Sequence, residues 1–124
     1  MTLIDNSKIF LKGVFGDATV EVAANTSLKA GTILTVDSSN KIVAYTSTAE
    51  GTLGYILAQD IINTNTSAAT EIVGVKVFEC GEVDKTKLIL ASSSDTLTST
   101  LIAKLKAAGI ICCNVQEETK KELV

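Results

Sequence analysis

Between Leu28 and Leu57 the chain places three short apolar segments, Thr32–Val36, Lys41–Tyr45 and Leu53–Leu57, each rich in β-branched residues and each bounded by Gly, Asp, Ser or Asn. That pattern predicts consecutive strands joined by tight turns. The first two are separated by Asp37, Ser38, Ser39 and Asn40, residues that hydrogen-bond their own backbone or tolerate positive φ, so a hairpin connects them. The rhythm then recurs. Glu71 to Cys80 alternates cleanly and predicts a strand with Val73, Val75 and Val77 facing inward. Gly31 and Gly54 stand where strands begin, as turn or bulge residues.

With 124 residues, 46% of them apolar, the chain is long enough to bury one real core without staples. Its apolar residues are mostly Ile, Val, Leu and Ala, with three Phe, two Tyr and no Trp. One helix is expected from about Asp95 to Ala108: Leu97, Leu101, Leu105 and Ala108 recur at helical spacing, Asp95 or Ser94 can cap the first turn, and Gly109 stops it. Asn63 to Thr70 reads as a polar, flexible loop, and Ile110 to Val115 as a last strand before a charged tail over 116–124.

The first 24 residues differ from the rest. They are apolar on both faces and punctuated by Gly13 and Gly16, which fits either a core strand or an arm that orders by pairing with another protein's strand. For an arm, the candidate partner-binding residues are Ile9, Phe10, Leu11, Val14, Phe15, Val20 and Val22, with the two phenylalanines best suited to fill pockets.

Several functions are disfavoured. The eleven cations are all lysines scattered among fourteen acids, without the basic, arginine-bearing stripe of a nucleic-acid surface. No apolar run approaches the roughly 20 residues of a membrane span, and the N-terminus lacks a signal-peptide pattern, so the chain is expected to be soluble and made in the cytoplasm. Cys80 stands alone, Cys112 and Cys113 are adjacent, and there is no His and no CxxC spacing, which argues against zinc; the three are expected to be small buried or half-buried residues. Without His, a nucleophile elbow or a phosphate-binding glycine loop, neither catalysis nor a cofactor is expected.

Five motifs occur in a telling order: Ala30-Gly31-Thr32-Ile33-Leu34, Val43-Ala44-Tyr45, Gly54-Tyr55-Ile56-Leu57, Gly81-Glu82-Val83, and a leucine-spaced helix ending in Gly109-Ile110. Over about Leu28 to Val115 this series resembles the head decoration proteins of lambda-like tailed bacteriophages. The resemblance implies a small, mainly β domain with one short α-helix, of the β-clip or β-tulip kind, spanning 25–115 behind an N-terminal arm over 1–24. It also implies a capsid-cementing role, with homotrimers seated at threefold positions on the outside of the expanded head, the major capsid protein as partner, and strand pairing through the arm. The alternatives are another phage structural subunit, from tail or baseplate, or a small β ligand-binding module.

Overall fold

The computed structural model describes residues 9–47 and 51–113, so the tail over 116–124 lies outside them. The described residues form eight strands: β1 (Phe10–Val22), β2 (Thr26–Leu28), β3 (Ile33–Val36), β4 (Ile42–Ala44), β5 (Thr52–Leu57), β6 (Ile61–Asn63), β7 (Thr70–Asp84) and β8 (Ile110–Cys113). A 3₁₀ turn over Lys85–Lys87 and one α-helix, α1 (Ser99–Ala107), complete the described elements. The domain is mainly β, as the sequence predicts.

The long strands β1 and β7 pair antiparallel from Phe10 opposite Val83 to Val22 opposite Thr70. On its other edge β7 pairs with β5 through Phe78 and Val77 and then in parallel with β8 from Gly81 to Asp84. The order β1-β4-β3-β5-β7, with β7 returning to β1, closes the sheet into a small barrel. Curling two strands so strongly requires bulges. Three interrupt the β1–β7 register, at Leu11, at Glu79 and at the pair Val73–Gly74 opposite Thr19. Gly74 takes φ +72 there, in the left-handed region that glycine enters without a Cβ penalty.

The expected arm is therefore, from Phe10 onward, a wall of the barrel. The long β7 ladder supplies a partner along its length, which fixes it as a core strand.

The core lies on both faces of the β3–β5–β7 wall. Inside the barrel, Val20, Val22, Leu34, Leu57, Val75 and Val77 pack with Leu28 of β2 and Ile61 of β6. Outside it, Ile33, Ile56, Phe78 and Val83 pack under Leu101 and Leu105 of α1 and Ile110 of β8. A strand covered on both faces needs apolar residues at successive positions. Ile33-Leu34, Ile56-Leu57 and Val77-Phe78 are those pairs, all fully buried.

The β3–β4 hairpin forms as its turn chemistry dictates. Asp37 Oδ1 accepts from the backbone N–H of Ser39 (2.9 Å) and of Lys41 (3.0 Å), and Asn40 takes φ 63. Gly31 takes φ 101, and Gly54 is the extra residue of a bulge where β5 passes from Tyr55 opposite Leu34 to Leu53 opposite Thr35.

Three expectations are corrected. Val73 does not face inward: the bulge at Val73–Gly74 breaks the alternation and leaves it 80% exposed. The helix starts at Ser99, capped by Thr98, whose hydroxyl accepts from Leu101 N–H at 3.1 Å. Asp95 is spent elsewhere, its carboxylate accepting from the backbone N–H (3.0 Å) and hydroxyl (2.6 Å) of Ser47. The polar loop read over 63–70 is an exposed loop over 64–69 only: Asn63 ends β6, where it is buried and pairs opposite Thr26, and Thr70 opens β7.

Asn63 ties β1 to the following loop. Its side-chain amide donates to the carbonyls of Val22 (3.0 Å), Ala23 (3.1 Å) and Ala68 (3.1 Å), and its Oδ1 accepts from Asn65 N–H (3.0 Å). Asn65 in turn accepts from the backbone of Ser67 and Ala68. A buried polar group stripped of its partner costs about 1–3 kcal/mol. Asn63→Ala is expected to destabilise the domain by about 2 kcal/mol in urea unfolding, and Asn63→Asp by more, because it aims a carboxylate oxygen at three carbonyls.

Candidate partner-binding surface

The seven residues singled out on β1 and just before it divide into three environments. Val20 and Val22 are buried in the barrel interior, which corrects their assignment as outward partner contacts: bulges and parity turn them inward, into the core. Ile9, Phe10 and Leu11 are half-buried. Ile9 accepts a hydrogen bond from Asp84 N–H through its carbonyl (2.8 Å) and lays its side chain against Gly31. Val14 and Phe15 are outward, at 54% and 39% exposure.

Phe10, Phe15 and Phe78, all the phenylalanines of the chain, meet in one cluster. Phe10 stacks on the buried Phe78 ring with centroids 4.8 Å apart, and Phe15 stands edge-on to both at 5.2 Å. Such pairs add about 0.5–1.5 kcal/mol beyond the area they bury. Lys76 Nζ sits 4.7 Å from the centroid of Phe15, a cation–π contact at the surface. Phe15 is thus an exposed ring on a rigid base rather than a loose side chain.

The cluster depends on Gly13. A Cβ there would lie 2.5 Å from two carbons of the Phe78 ring and would also collide with the carbonyl of Cys80, so only glycine lets that ring lie flat across β1. The sequence signalled Phe10 and Phe15 by their size and place, but not Phe78, whose approach depends on a register set by bulges.

Beside Val14 the ladder carries the Lys12–Glu82 register pair. Cys80, the register partner of Val14, is exposed, which corrects its expected burial: among the described residues no element covers the ladder there. Ile111 of β8, opposite Glu82, is 47% exposed. Cys113 Sγ lies 3.6 Å from Glu82 Oε1 and donates to it. Three other exposed apolar residues, Ile62, Val73 and Ile89, have no counterpart among the sequence candidates.

Among the described residues no group of three or more His, Cys, Asp or Glu side chains could hold a metal ion, and no helix is long and apolar enough to cross a membrane. Glu79 and Glu82, the nearest approach to a carboxylate pair in the sequence, have no hydrogen bond joining them; Glu79 is exposed and flanks Gly16. The strongest surface ionic contact is structural. Lys41 bridges Glu21 (2.9 Å) and Glu71 (3.7 Å), and its pKa is raised by the hydrogen bond and attraction of Glu21, with a further pull from Glu71. Cys112 is pushed up by burial, against a smaller opposing effect from Lys85.

No family model matches the chain, and no curated protein matches it significantly.

Two outcomes test this surface. Gly13→Val is expected to cost about 2 kcal/mol in denaturant unfolding, the usual penalty for forcing bulk into a packed contact. Because burial disfavours the Cys112 thiolate, the folded protein holds that proton to higher pH than the unfolded chain, so this group's contribution to stability falls as pH rises past the ordinary thiol range. Iodoacetamide at pH 8 is therefore expected to alkylate Cys80 well before Cys112 in the native protein, with the difference vanishing in denaturant; peptide mass spectrometry reads both rates.

Proposed function

We propose that this chain is a bacteriophage capsid-decoration protein, which binds the outside of the expanded head as homotrimers at threefold positions and stabilises it against internal pressure. The observation that carries the reading is the exposure of Val14 and Phe15, adjacent apolar residues on opposite faces of a strand whose ends are packed into the core. Exposed apolar residues on a rigid base are what a binding surface requires. The motif series that resembles the decoration family supplies the identity of the partner, the major capsid protein.

Such a role needs no chemistry. A ligand that binds only the expanded lattice lowers the free energy of that state by an amount set by its concentration relative to its dissociation constant, and each copy adds its share. In this reading β1 contributes outward side chains rather than a loose arm, since one edge of it is held by β7 from Phe10 to Val22. Val14 and Phe15 then enter hollows of the capsid protein or of a neighbouring copy.

Sedimentation with expanded and unexpanded shells of the phage that encodes the chain tests the proposal. The protein should pellet with expanded shells alone. Val14→Asp, which touches an exposed site, should keep the circular dichroism spectrum and weaken shell binding by about tenfold or more, the scale of a 1.4 kcal/mol loss. Failure of the unmodified protein to pellet with expanded shells would overturn the reading.

A further inference from the structure

The links of the barrel are unequal. β1 pairs with β7 along its length, and β3 pairs with β4 from Leu34 opposite Ala44 to Val36 opposite Ile42 and with β5 from Ile33 opposite Ile56 to Val36 opposite Thr52. The β5–β7 link holds Ile56 opposite Phe78 and Leu57 opposite Val77. It continues where Ala58 N–H donates to the Lys76 carbonyl (2.9 Å) and Lys76 N–H donates to Gln59 Oε1 (2.8 Å). Among the described residues one register pair, Val20 beside Ile42 in parallel, joins β1 to β4.

That short link carries a charged clasp. Lys41, next to Ile42, reaches Glu21 of β1 at 2.9 Å and Glu71 of β7 at 3.7 Å. Glu21 and Glu71 are themselves register partners, a placement in which like charges repel. One lysine therefore neutralises a repelling cross-strand pair and draws β4 onto it. The lysine is anchored at its base: its N–H donates to Asp37 Oδ1 (3.0 Å) and its carbonyl accepts from Asp37 N–H (2.9 Å), which fixes it to the hairpin turn. Its pKa is raised, first by the hydrogen bond to Glu21, as befits a cation held in place. Beside the clasp Val20 is fully buried and flanked by Ile42 and Ile72.

We propose that Lys41 is a latch on the β1–β4 seam: the barrel opens locally there, ahead of the rest of the domain, and the Glu21–Lys41–Glu71 clasp sets how often it does so. Exposed ion pairs are individually weak. A seam with one backbone pair is where a weak contact can govern an opening equilibrium, because parting it leaves the β1–β7 ladder and the core under α1 intact. The latch does not depend on the capsid reading.

A cysteine buried at the seam reads the opening. Val20→Cys is alkylated by iodoacetamide when the seam parts, and Leu101→Cys, under the helix, when that second core opens; peptide mass spectrometry follows both beside the exposed Cys80. Lys41→Met should raise the alkylation rate at position 20 by about threefold or more and leave that at position 101 unchanged. Lys41→Arg, which keeps the charge, should leave both at the parent rates. Sodium chloride at about 1 M should speed labelling at position 20 in the parent and not in Lys41→Met, since it screens the clasp. Val22→Cys, buried in the same wall, repeats the measurement should Val20→Cys fail to fold. Equal labelling at the seam with and without Lys41, a parallel rise at position 101, or a salt effect of the same size in both proteins overturns the latch.

Discussion

Everything in this domain hangs on the antiparallel ladder between β1 and β7. It joins Phe10–Val22 to Thr70–Asp84, and each remaining strand of the main sheet is placed by reference to it: β5 and β8 share the far edge of β7, while β4 reaches β1 only at Ile42. A ladder this long cannot stay flat, because twist accumulates along it. The bulges at Leu11, Glu79 and Val73–Gly74 release that twist as curvature, and the curvature lets the sheet meet itself. The same bulges decide which side chains look outward. Val14 and Phe15 are exposed, while Val20 and Val22, a few residues along, are enclosed.

What the sequence disclosed was set by local chemistry. The Asp37–Asn40 hairpin was legible because its hydrogen bonds are made by the turn residues themselves. The helix existed where its leucines said it would, but its start was not legible: Asp95 is as good a cap as Thr98 in isolation, and only the fold brings Ser47 close enough to claim it. β7 was recognised as a strand and misread in its facing. Two-state alternation assumes one wet face, yet Val77 and Phe78 are both buried because the barrel lies on one side and the helix on the other. β6 is not legible because three residues carry too little pattern to be seen, and what holds it, the pairing with β2 and the amide of Asn63, joins segments far apart in sequence.

The candidate surface was half visible for the same reason. Size and position pointed to Phe10 and Phe15, and those two do lie together. Phe78 joins them only because Gly13 leaves room for its ring, an arrangement that depends on register and not on composition. The proposed role asks for rigidity and shape, and both come from packing: a body covered on two faces of its central wall holds its outward side chains in fixed positions.

The distance along the chain between β1 and its partner carries a cost in time. Phe10 finds Val83 only after β2 through β6 have been synthesised, and in parallel β8 must wait for α1. Closing so large a loop before any reward arrives makes folding slow for a chain of this size. On the ribosome, β1 travels with its backbone edges unsatisfied until β7 has emerged. During that interval the apolar strip around Phe10, Val14 and Phe15 is an aggregation hazard, and a nascent chain crowded by its siblings has every physical reason to pair with the wrong copy.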